Sequence, residues 1–151
     1  MLRYVVPTRQ NLQFIADTMR QGDREELAAG GWTPEHLHDF AGRAEICVVA
    51  EVGGVPCAVF GVTRTGSLLT TKNSPWMLGG TELHKHTRLL LSESKKIVYT
   101  IVEEYREVEN WVYAESRASI RWLKWLGFTV EDPAPLGPEG QEFCRFWKKR
   151  G

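Results

Sequence analysis

The sequence predicts an α/β fold in which a mixed sheet is covered by helices, all within a single domain, residues 1–151. Three observations carry that prediction. Apolar residues recur at helical spacing in some stretches and in β-branched runs in others, in the order strand, helices, three strands, helix, strand, helix, strand, strand. The run Ser116 to Phe128 reads as a short helix closed by Gly127, where a residue tolerating positive φ is needed, followed by a strand from Phe128. At 151 residues the chain is also long enough to bury a real core.

The elements follow in order. Tyr4 to Val6 is a first strand, ended by Pro7. Leu12, Ile15, Ala16 and Met19 form the apolar face of a helix that Gly22-Asp23 breaks. Asp23 caps the next helix with Glu26 in capping-box register, and Gly30-Gly31 ends it. Thr33-Pro34 starts a third helix, with Leu37, Phe40 and Ala41 facing inward. Ile46 to Val52 and Val55 to Thr63 make a hairpin around Gly53-Gly54, and Pro56 is tolerable only near a strand start or edge. Leu68 to Thr70 reads equally as strand or loop, and Trp76-Met77-Leu78 ends a strand before Gly79-Gly80. Thr81 caps the longest helix, whose stripe is Leu83, Leu90, Ser94, Ile97, Ile101 and Tyr105, thickened by Val98. Strand Trp111 to Ala114, the Ser116 helix and the Phe128 strand follow. After a Pro/Gly-rich loop from Pro133 to Gly140, Phe143 to Trp147 closes the sheet.

Composition narrows the function. Lys plus Arg and Asp plus Glu number 19 each, so no basic excess points to nucleic acid. No stretch reaches the length of a membrane span and the start of the chain lacks a leader's apolar core, so a soluble protein is expected. Cys47, Cys57 and Cys144 are an odd set without zinc spacing and read as buried free thiols. His36/His38 and His84/His86 are spaced i,i+2 and diverge on a helix, so no metal site is expected.

The strand–helix–strand order ending in Leu126-Gly127-Phe128 resembles the GNAT acetyltransferase superfamily over nearly the whole chain. Met19-Arg20 with Asp23 and Glu26, Trp76 to Gly79, Asn110-Trp111-Val112 and Ile120 to Gly127 bring a closer resemblance. These stretches are similar to a bacteriophage family, the small internal virion (core) proteins of short-tailed phages, which look like degenerate GNAT domains. That resemblance implies a non-catalytic virion or assembly role through contacts with other phage or host proteins. The expected location is the host cytoplasm during assembly and the virion. An effector that binds a host protein would look the same in sequence.

The GNAT resemblance also implies what an enzyme would need. It implies an Arg/Gln-x-x-Gly-x-Gly/Ala loop whose backbone N–H groups hold the acetyl-CoA pyrophosphate. Here that loop falls on Glu82 to Arg88, with Leu83, Lys85 and Thr87 at the small positions and Glu82 in place of the cation. The resemblance further implies a Tyr acid on the short helix, where this chain has Leu123, and an Asn at the helix start, where it has Ser116, a good N-cap. No cofactor is therefore expected. If instead the chain is a CoA-dependent N-acetyltransferase with an atypical loop, acetyl-CoA is its cofactor. Lys85, His86, Thr87 and Arg88 would then supply a side-chain anion site, with Glu26 and Ser116 as the catalytic candidates. Arg20, Asp23 and Glu26 lie in the region that lines the acceptor site in GNAT enzymes, and read locally as caps plus an ion pair. Of six tryptophans, Trp32, Trp76 and Trp125 are the candidate partner contacts.

Overall fold

The long hairpin of β2 (Ile46–Val52) and β3 (Val55–Gly66) is the centre of the molecule, turned by Gly53 and Gly54, both at positive φ. The computed structural model describes residues 1–66 and 71–151, so the Leu68 to Thr70 segment lies outside the described residues. β1 (Leu2–Val5) pairs with β2, and β4 (Thr71–Gly79) with β3, giving an antiparallel sheet in the order β1-β2-β3-β4. A register shift at Ala50/Glu51 places Pro56 opposite Glu51, so this proline is accommodated at an irregularity of the ladder.

The second sheet is built on β8 (Glu142–Lys149). It pairs antiparallel with β5 (Glu107–Tyr113) along its length and with the two-residue strands β6 (Thr129–Val130) and β7 (Ala134–Pro135). The two sheets meet at β4 and β5. Lys72 pairs with Glu109 at 3.2 Å, and the Asn110 side-chain amide donates to the Pro75 carbonyl at 2.9 Å. These contacts advance together along both strands, so β4 and β5 run in the same direction.

Helices cover both faces. α1 (Arg9–Asp17), α2 (Gln21–Ala29) and α3 (Leu37–Arg43) pack Leu12, Ile15, Leu27 and Leu37 against Val49, Val59 and Leu78. On the opposite face Ala50, Ala58 and Phe60 meet Leu83 and Leu90, the latter on α4 (Thr87–Tyr105). Alternate residues of β3 thus enter different cores, and the strand is buried from Cys57 to Val62. A third core joins Val98 and Val102 of α4 to Leu123 of α5 (Arg117–Trp125), Leu126, Phe128 and Phe146. Gly127 follows α5 at φ 95°, as its place after Leu126 predicts.

Three expectations are corrected. The break between the first two helices falls at Thr18 to Arg20, and Gly22 lies inside α2. There the Thr18 hydroxyl bonds back to the Phe14 carbonyl, Met19 bridges Gly80, and the Arg20 amide donates to the Gly79 carbonyl. Contacts to the end of β4 outcompete continuation of the helix. Asp23 and Glu26 form no capping box, because both carboxylates reach the strands. Finally, Thr81 does not start an α-helix. Thr81–His86 is a 3-10 segment, tied down by the Thr81 amide on the Thr18 carbonyl and by burial of Leu83, and the α-helix begins at Thr87.

Candidate functional site at the divergence of β4 and β5

Past Pro75 and Asn110, α2 bridges the ends of β4 and β5. Asp23 and Glu26, one helical turn apart, hold the two strand ends. The Gly79 amide donates to Asp23 Oδ2 at 2.8 Å, and the Tyr113 amide donates to Glu26 Oε2 at 3.1 Å. Gly79 is fully engaged, since its carbonyl accepts from the Arg20 amide at 2.9 Å. The next amide, Gly80, donates to the Cys57 carbonyl at 2.9 Å. Space here is tight: a Cβ on Gly79 would lie 2.8 Å from a Leu83 methyl carbon and 3.0 Å from the Arg20 guanidinium.

The electrostatics set the two carboxylates apart. Buried Asp23 forms an ion pair with Arg20 at 2.9 Å besides accepting the Gly79 amide. Among the described residues Glu26 forms no ion pair. Burial pushes its carboxyl up to about 7, and nearby Asp23 adds to the rise, whereas the Tyr113 amide and Arg20 oppose it. Beside this bridge lies an open depression of about 490 Å³ lined by Glu25, Ala28, Ala29, Tyr113, Glu115 and Gln141. The Tyr113 hydroxyl donates to Glu115, and this bond raises its pKa, so the phenol holds its proton and is a poor acid.

The remaining predicted residues fall elsewhere. Ser116 is the N-cap residue of α5, but its side chain makes no capping bond; its amide instead donates to the Tyr113 carbonyl at 3.0 Å. The structure therefore corrects the reading of Ser116 as a side-chain cap. Leu123 is buried beside Leu126. In the 3-10 segment Lys85 pairs with Glu82 at 3.2 Å, and the Thr87 hydroxyl turns back to the Leu83 and His84 carbonyls. His86 is the N-cap residue of α4 without a side-chain cap, and Arg88 is exposed.

The three tryptophans differ. Trp76 is half-buried, donates from Nε1 to Thr63 Oγ1 at 3.0 Å, and lies so close to Gly61 that a Cβ there would approach its ring to 2.3 Å. Trp32 is 47% exposed and edge-on to His36 and Phe40. Trp125 is 49% exposed on α5, with Lys95 Nζ of α4 4.1 Å from its ring centroid. Sequence reading missed Tyr113 and the reach of Asp23, because hydrogen bonds spanning 87 and 56 positions leave no local signal.

Cys47, Cys57 and Cys144 are free, with burial raising each thiol, Cys47 to about 11. Among the described residues, no helix is long and apolar enough to cross a membrane.

No family model matches the sequence, and no curated protein matches it. Solved structures do. The chain is similar to a GNAT-family acetyltransferase from Streptococcus pneumoniae, at 15% identity and TM-score 0.66, with 100% of each chain covered. It is similar to the ribosomal-protein-alanine N-acetyltransferase from Brucella melitensis, at 14% identity and TM-score 0.72, over 99% of each chain. It is also similar to an aminoglycoside N(6')acetyltransferase from Legionella pneumophila, at 10% identity and TM-score 0.73, over 98% of this chain and 91% of that one. The fold is thus that of GNAT acetyltransferases.

Proposed function

We propose that this GNAT-fold chain acts through contacts with other proteins and has given up acetyl-CoA chemistry. The observation that carries this reading is the bridge at the strand ends. The amides of Gly79 and Tyr113, which a ligand entering between β4 and β5 would need, are already taken by Asp23 and Glu26. The loop supports the same reading. Glu82 to Arg88 offers a 3-10 segment with a buried Leu83 and a Glu82–Lys85 pair, not a cradle of free amides. Leu123, at the position of the acid in GNAT enzymes, is packed in the core. The residues present therefore do not fit acetyl-CoA held in the manner of that superfamily.

The resemblance to small internal virion proteins of short-tailed phages supports placing those contacts in particle assembly, in the host cytoplasm and in the virion. A second reading, an N-acetyltransferase with an atypical loop, has one observation in its favour besides the fold. Glu26, with its carboxyl near 7, has the poise of a general base. Calorimetric titration with acetyl-CoA separates the two. The first reading expects no saturable heat. Saturable binding, weakened by neutralising Lys85 and Arg88, would support the second.

A further inference from the structure

Helix α5 carries a stripe that the fold itself does not use. Arg117, Arg121 and Lys124 follow one another at i, i+4 and i+7, and Trp125 lies beside them. All four are exposed, while Ile120, Leu123 and Leu126 turn into the core. The helix contains no Asp or Glu. Among the described residues none of these three cations forms an ion pair. Lys95 adds a charge from α4 above the Trp125 ring, and the Lys148 ammonium lies over Gly127 at the far end of the helix.

Lys124 in the last turn suits the helix dipole, but the start of the stripe works against the isolated fold. Arg117 occupies the first turn, where the helix dipole disfavours a cation, and Arg117 and Arg121 are like charges one turn apart. Local rules broken without a compensating contact inside the fold point to a contact outside it. The geometry points to α5 as the docking face for an acidic, helix-forming segment of a partner protein, whose carboxylates pair with Arg117, Arg121 and Lys124 while an apolar side chain meets Trp125.

The chemistry favours this occupant over other anions. The stripe is about 12 Å long at 1.5 Å per residue, so it matches two turns of a partner helix. A nucleic acid would run beyond it, over a protein whose 19 acidic and 19 basic residues cancel. A membrane would need an apolar face, and that of α5 is already packed. Trp125 is held in place by Lys95 and suits the central anchor of a charged interface.

This inference rests on the proposed contact function but is tested apart from it. A fluorescein-labelled peptide of repeated Glu-Glu-Leu-Glu is titrated with the protein and followed by anisotropy. The expected result is saturable binding that weakens with added salt. It should fall by about tenfold or more in a variant combining Arg117→Gln, Arg121→Gln and Lys124→Gln, with the thermal midpoint retained. A control combining Arg3→Gln, Arg9→Gln and Lys149→Gln changes net charge equally and should bind as wild type. Four outcomes overturn the assignment: no saturation, equal loss in the control, tighter binding of a thymidine oligonucleotide, or concentration-dependent self-association abolished by the α5 variant. Acetyl-CoA calorimetry on the same samples reports on the β4–β5 bridge alone, so the failure of one reading is distinguishable from the failure of the other.

Discussion

The Tyr113 amide donates a 3.1 Å hydrogen bond to Glu26 Oε2 across 87 positions of sequence, fixing the end of β5 to helix α2. Asp23 does the same for β4 through the Gly79 amide at 2.8 Å. One turn of helix therefore sets the distance between two sheets. Each carboxylate serves as a built-in acceptor for a strand-end amide.

Glu26 gives this bridge a pH dependence. Its carboxyl is raised in the folded state to about 7, so the folded protein holds a proton that the unfolded chain has released. The associated stability is fully present below the ordinary carboxyl value near 4.5 and is lost as pH rises through 7. The loss amounts to about 3 kcal/mol at most. Glu26→Gln keeps an oxygen for the Tyr113 amide and removes the titration. Urea midpoints at pH 5 and pH 8 should differ in wild type and converge in this variant; equal slopes in both proteins would show that Glu26 is not the titrating group.

Asp23 is expected to matter through two contacts at once. Asp23→Ala leaves Arg20 without its carboxylate and the Gly79 amide without an acceptor, at a cost of about 3 kcal/mol. Asp23→Asn retains an acceptor for the amide and should cost less. Equal midpoints for Asp23→Ala and wild type in chemical denaturation would remove the bridge from the stability of the fold.

Leu123→Ala should lower stability by about 2–5 kcal/mol, because Leu123 fills the core shared by α4, α5 and β8. Leu123→Tyr should also destabilise, by about 1–3 kcal/mol, through overpacking. It should not create acetyltransferase activity, since Gly79 and Tyr113 remain occupied. Turnover of acetyl-CoA by this variant would mean that only the missing acid had silenced the site.

The tryptophans should separate by role. Trp76→Ala is expected to cost about 3 kcal/mol or more, given its packing on Gly61 and its bond to Thr63. Trp125→Ala should stay within about 1 kcal/mol of wild type, because the indole is half exposed and its cation contact is a surface one. Trp32→Ala should fall between them, losing its edge contacts to His36 and Phe40. Thermal unfolding of the three variants checks the order, and a large loss at Trp125 would return that residue to a structural role.

Much of the architecture was legible because its determinants are local. Gly127 needed only its place after an apolar helix face to be assigned positive φ, and Leu123 only its spacing from Ile120 and Leu126 to be placed inside. Gly53-Gly54 marked the central hairpin in the same way. The errors fell where long-range contacts overrule local preference. Gly22 looked like a helix breaker but sits in open space within α2, where glycine is merely tolerated. Thr81 looked like an N-cap but is held by Thr18. At the site, Glu26 was visible as a carboxylate and its partner Tyr113 was not. The stripe of Arg117, Arg121 and Lys124 was not singled out in the sequence, and only the fold reveals that, among the described residues, none of the three forms an ion pair.

Isothermal titration with acetyl-CoA at high micromolar concentration tests the central claim most directly. With Gly79 and Tyr113 committed to Asp23 and Glu26, and no glycine cradle at Glu82 to Arg88, neither saturable heat nor a thermal shift is expected. A one-to-one isotherm, with a melting temperature that climbs as acetyl-CoA is added, would contradict it and restore the chain to the acyltransferases.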